Sequence, residues 1–139
     1  MAQPADPQSP DRATAPAPAA GPTPFILVLT STSSRDEAQM IADATVEQRL
    51  AAAAQVIGPM TSTYHWEGQL THAEEWLCLL KTSAPLYECV EQTIRSLHSY
   101  KLPGILAIPL AGGARSIWPG SRKNCDRCSS RRRTPNGIV

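Results

Sequence analysis

The chain has 139 residues, enough for one domain, and a net charge of +1 that hides an acidic middle and a basic end. No apolar run approaches the roughly 20 residues of a membrane span, which excludes that class. Four cysteines offer no disulfide framework and no apolar h-region opens the chain. Reduced thiols and a soluble, cytoplasmic protein are therefore expected.

Seven of the 13 prolines precede Phe25, so residues 1–24 read as a disordered Pro/Ala-rich arm that cannot bury enough apolar surface to offset its ordering entropy. The arm holds Asp6, Asp11 and only Arg12, a poor match to an Arg-rich mitochondrial transit peptide, which leaves mitochondria as the alternative compartment. Residues 25–114 carry five bases and nine acids, and residues 115–139 carry seven bases and one acid. An acidic domain is followed by a basic, disordered tail.

Within the domain, Phe25 to Leu29 is a short apolar run that suits a buried strand. Ser34-Arg35-Asp36-Glu37 is a capping box with Ser34 as N-cap and Glu37 at N3. Ala38, Ile41, Ala42, Thr45, Val46 and Leu50 then recur at helical spacing, with Arg49 near the end and Gly58-Pro59 as the stop. Met60, Ser62, Tyr64 and Trp66 share one face of the next strand, Gly68 permits a turn, and Trp76 to Leu80 return. Pro85 opens a second helix with a Leu86, Val90, Thr93, Ile94, Leu97 stripe. Leu102-Pro103-Gly104 ends it before a strand from Ile105 to Leu110. The order βαββαβ predicts an α+β, ferredoxin-like sandwich with both helices on one face of a four-stranded sheet. The other face needs a cover for Met60, Tyr64, Trp66 and Trp76, and an oligomer supplies one.

Four pieces carry a family resemblance. They are Ile26 to Thr30; Ile41-Ala42 with Val46 to Ala52; Ser62-x-Tyr64-x-Trp66-x-Gly68 with Glu75 and Lys81-Thr82; and His98-Ser99-Tyr100-Lys101-Leu102-Pro103-Gly104-Ile105. Residues 25–114 resemble the CutA (divalent-cation tolerance) family, small ferredoxin-like proteins that form homotrimers. The resemblance implies a role in divalent-metal, and specifically copper, tolerance, with weak binding of Cu(II) or another divalent cation. It also implies structural roles for Tyr64, Trp66, Gly68, Lys81, Tyr100 and Pro103.

The departures fall on the family's ligand-bearing segments. Ala53 stands where the family has cysteine, Gln55 replaces asparagine, and Lys101 and Gly104 replace two glutamates. Hard cations need oxygen donors and copper prefers thiolate or imidazole. His98 remains as the candidate metal ligand, beside Tyr100. Past Leu110 the family's closing segment gives way to Ile117-Trp118, Pro119-Gly120 and a tail foreign to the fold.

Each remaining candidate has a plainer reading. His65 and His72 are expected to face solvent, and Cys125-Asp126-Arg127-Cys128 lacks the second pair or histidines of a zinc site. Arg131-Arg132-Arg133 has no aromatic interleaving, so no specific nucleic-acid partner is expected. Lys81 could serve an anionic ligand in a subunit cleft or an ion pair with Glu67 or Glu75. No nucleophile with a paired base is visible, so no catalysis is expected. The alternative to a metal role is a trimeric interaction scaffold presenting arms and tails to a protein partner; relatives in mammals are linked to acetylcholinesterase. A nucleotide sensor like the PII proteins ranks last, since no Gly-rich phosphate loop is present.

Overall fold

A computed structural model of the chain describes residues 24–113. The expected basic tail, Ile117-Trp118 and the Cys125/Cys128 pair lie outside the described residues, as does the expected arm except for Pro24. The elements are β1 (Phe25–Thr32), α1 (Arg35–Glu47), β2 (Ala53–Trp66), β3 (Gln69–Ser83), α2 (Tyr87–Leu97) and β4 (Ile105–Pro109), with a 3₁₀ turn at Ala84–Leu86. The sheet order is β2-β3-β1-β4 and every pair is antiparallel. This is the ferredoxin-like sandwich that the element order predicts.

Alternation along β1 and β3 divides the sheet into two faces. Ile26, Val28, Leu80 and Cys78 are buried and join Ala38, Ile41, Ala42, Leu86, Val90 and Ile94 in one core. That core lies between the sheet and the two helices. Leu27, Leu29, Leu77 and Leu79 point the other way and are half-buried. Trp76 departs from expectation: it pairs with Thr32, a residue of the helix face, and packs against the core. It contributes nothing to the open face.

β2 departs further. It begins at Ala53, not near Met60, and runs through Gly58-Pro59 with a register shift between Ile57 and Met60. The helix has already stopped by then. Arg49 adopts a left-handed φ of 57°, and Leu50 and Ala51 both donate backbone N–H groups to Thr45 O. Gly58 sits under Trp76, where an added Cβ would lie 2.6 Å from Cε3. Glu67 and Gly68, with φ of 50° and 75°, close a two-residue turn between Trp66 and Gln69. Among the described residues Cys78 is a free, buried cysteine.

Candidate functional site

The connection from α2 to β4 carries most of the polar chemistry. Three consecutive residues there are each fixed to a different element. His98 Nε2 lies 2.9 Å from Ser31 O on β1. Ser99 donates its N–H to Glu37 Oε1 on α1, and its hydroxyl to Oε2 at 3.1 Å. Tyr100 donates its phenol O–H to Glu75 Oε1 on β3 at 3.0 Å. Pro103 then buries itself before β4 starts.

Glu37 explains how the clasp forms. Its N–H is taken by Ser34 Oγ at 3.2 Å, the N-cap half of the expected capping box. Its carboxylate does not complete the box; it reaches across 62 residues of sequence to Ser99. A residue predicted as local punctuation therefore holds a long-range contact. Only the fold brings Ser99 within reach, so spacing along the chain could not reveal this partner.

The two ring nitrogens of His98 are both engaged. Nε2 faces a carbonyl oxygen and so carries the hydrogen; Nδ1 accepts the Tyr100 N–H at 3.1 Å. The side chain is fully buried, and Nδ1 stands 3.6 Å from Glu37 Oε1. A metal needs the lone pair that Tyr100 already uses. Two N–H donors, from Ser99 and Tyr100, point into the same space. Among the described residues, no group of three or more His, Cys, Asp or Glu could hold a metal ion. The residues present do not fit the cation implied for His98.

The perturbed groups are moved away from reactivity. Burial pushes the Cys78 thiol up to about 12. Burial, then the hydrogen bond and charge of Glu75, push the Tyr100 phenol up to about 12 as well. Burial raises Glu75, but hydrogen bonds with Ser62, Tyr100 and Ser31 and the neighbouring His98 outweigh it and leave the carboxyl below its usual range. His65 and His72 are exposed as expected, His72 Nδ1 lying 3.0 Å from Thr63 Oγ1.

The open sheet face is the second feature. Register places Ile108, Leu27, Lys81 and Ala53 in one row across it, and Leu106, Leu29, Leu79 and Gln55 in the next. Leu106 is 67% exposed, and Ile57 and Ile108 are about half exposed. Lys81 is the one cation in these rows. Glu75 is six residues away along the same strand, about 20 Å at strand rise, and Glu67 is farther. The ion pair considered for Lys81 with either acid does not form. Tyr64, Trp66 and Gly68 lie at the far end of the hairpin, Trp66 being 65% exposed.

Fold and site together define a small α+β sandwich with a clasped α2–β4 connection and an uncovered apolar sheet face. Residues 26–118 match the family described as CutA1 divalent ion tolerance protein. The chain belongs to that family. It is 36% identical over 98 residues to the divalent-cation tolerance protein CutA of Thermus thermophilus, covering 70% of this chain and 95% of that one. It is 37% identical over 76 residues to the human protein CutA, covering 55% of this chain and 42% of that one. The chain thus spans nearly all of the bacterial relative but about half of the length of the plant, mouse and human ones. Among solved structures, CutA1 from Thermus thermophilus aligns at a TM-score of 0.70 with 35% identity, covering 72% of this chain and 97% of that one. CutA from Synechococcus elongatus aligns at 0.72 with 28% identity, covering 83% and 98%.

Proposed function

We propose that this chain works as a non-catalytic, self-associating member of the divalent-cation tolerance family, a homotrimer whose subunits meet through the open sheet face. The observation that carries this reading is the apolar row structure of that face. Leu27, Leu29, Leu79, Leu106 and Ile108 lie side by side, with β4 as an unpaired edge. An apolar patch next to a strand edge is a surface that copies of one chain cover for each other. The raised thiol and phenol agree with a protein that performs no nucleophilic or acid–base step. Light scattering on the full chain should give three times the chain mass, and Leu106→Glu should give a folded monomer. A monomeric wild-type chain would sink the reading.

Copper binding at His98 is the second reading. Its support is the 3.6 Å separation of Nδ1 and Glu37 Oε1. Against it stands the Tyr100 N–H, which a cation would have to displace. A scaffold needs no such displacement. Trp66 and Leu70, both exposed at the hairpin tip, are apolar side chains it would offer to a client protein such as acetylcholinesterase. The cytoplasm is the compartment of this reading, with mitochondria the alternative. No helix among the described residues is long and apolar enough to cross a membrane.

A further inference from the structure

Glu75 and Lys81 lie on the same strand and the same open face of the sheet, with Leu77 and Leu79 between them. Glu75 is 6% exposed, and among the described residues no Lys or Arg pairs with it. Hydroxyls of Tyr100, Ser31 and Ser62 hold its carboxylate, but hydrogen bonds leave the charge uncancelled. Glu37, the other buried acid, sits in the first turn of α1, where the helix macrodipole favours a negative charge. Glu75 lies within a strand and has no such offset. Lys81 presents the converse. It is half-buried in an apolar row between Leu27 and Ala53, and its ammonium has no ion-pair partner among the described residues.

About 20 Å of strand separates the two side chains, too far for them to meet within one chain. We propose that they meet between chains: Lys81 of one copy seats its ammonium against the Glu75 carboxylate of the next, so that the neighbouring subunit completes the Glu75 site. The pair rests on the self-association through the open face proposed above, and adds the polar contact that orients it.

Charge complementarity makes a second copy the occupant. The β3 strip carries an acid at one end, leucines in the middle and a base at the other end. Another copy of the same strip offers a match to each part. Covering the leucines without this match would bury two charges unpaired, which is costly. With the match, each interface joins the acidic end of one strip to the basic end of the next. Such a contact is head-to-tail, the kind that closes into a ring. Leucine rows alone tolerate sliding, whereas a charge pair fixes direction and register. The Tyr100 ring, which donates to Glu75, is 37% exposed, so the carboxylate lies just beneath the surface that a neighbour covers.

A double-mutant cycle on the full chain tests the pair. Sedimentation in increasing urea measures the dissociation of copies, and circular dichroism checks that each variant stays folded. Lys81→Met and Glu75→Gln should each weaken association about tenfold, since each leaves one charge buried and unpaired. The double variant should be no weaker than the weaker single. Sites more than about 10 Å apart in one chain act additively, so such coupling reports a contact between copies. Lys81→Glu sets two carboxylates against each other; in that background Glu75→Gln should strengthen association, the reverse of its effect in the parent. The first cycle stands by itself should Lys81→Glu not fold. Losses that multiply in the double variant overturn the pair and leave self-association standing. Coupling of Glu75→Gln to Lys101→Met instead, at an exposed cation beside Tyr100, also overturns it. A monomeric parent overturns the pair and the self-association together.

Discussion

Tyr100 donates its phenol hydrogen to Glu75 Oε1 at 3.0 Å, and this contact ties the α2–β4 connection to β3. The acceptor is a carboxylate, which makes the bond charge-assisted. Tyr100→Phe removes it and leaves the ring in place. A loss of about 1.5 kcal/mol is expected, the low end for a bond to a charged group because Tyr100 is 37% exposed. Urea unfolding of the variant against the parent measures it, and an unchanged midpoint would contradict the role given to this contact.

The same pair sets a dependence on pH at both ends of the scale. Glu75 is held below its ordinary value, so its contribution is complete above the usual carboxylate range and is lost as pH falls through the lowered value. Tyr100 is raised to about 12, so its contribution is complete below its ordinary value of 10.0 and is lost as pH rises toward 12. Glu75→Gln should flatten the acid limb and lower the phenol's titration. Absorbance near 295 nm follows the tyrosines, and a phenol unmoved by Glu75→Gln would break the coupling.

Glu37 separates a local role from a distant one. Ser34→Ala removes only the N-cap bond, with an expected cost of about 1 kcal/mol. Glu37→Ala strips the Ser99 N–H and hydroxyl of their acceptor, for which about 2–3 kcal/mol is expected. Equal losses from the two variants would mean that the carboxylate does no more than cap α1. Hydrogen exchange at the Ser99 amide should accelerate in Glu37→Ala and not in Ser34→Ala.

How much of this was legible in the chain depends on the range of each contact. Periodicity placed the core residues Ile41, Val90 and Ile94 and the strand pattern of Met60 to Trp66, because those signals are local. The start of β2 was hidden, since Ala51 to Ala54 continue a helical composition and only the left-handed Arg49 ends α1. The face of Trp76 was hidden too, because alternation gives parity and not which parity meets the helices. At the site, the segment from His98 to Pro103 stood out in the sequence. Its partners Ser31, Glu37 and Glu75 did not, being joined to it only by the sheet order.

Gly58 offers a test of how tightly the β2 irregularity is packed. A methyl group there would sit 2.6 Å and 2.7 Å from two indole carbons of Trp76, and 3.2 Å from Glu75 O. A rigid ring and a backbone atom cannot both give way, so Gly58→Ala should cost about 1–3 kcal/mol. Trp76 fluorescence should shift with it. Gly104, whose Cβ would meet nothing within 4 Å, is the control that should stay near neutral.

His98 decides between the two readings of the protein. Its buried ring donates to Ser31 O and accepts from the Tyr100 N–H, so the imidazole acts as a bridge between β1 and the α2–β4 connection. His98→Ala leaves the part-buried Ser31 carbonyl without its imidazole partner, while water can take up the exposed Tyr100 N–H, and about 1–3 kcal/mol of destabilisation is expected. Calorimetric titration of the wild-type chain with Cu(II) should show no binding that His98→Ala abolishes. A copper heat lost in a variant that still folds would reinstate His98 as a ligand. It would also require the Tyr100 N–H to leave Nδ1, which amide exchange at Tyr100 in the presence of Cu(II) would reveal directly.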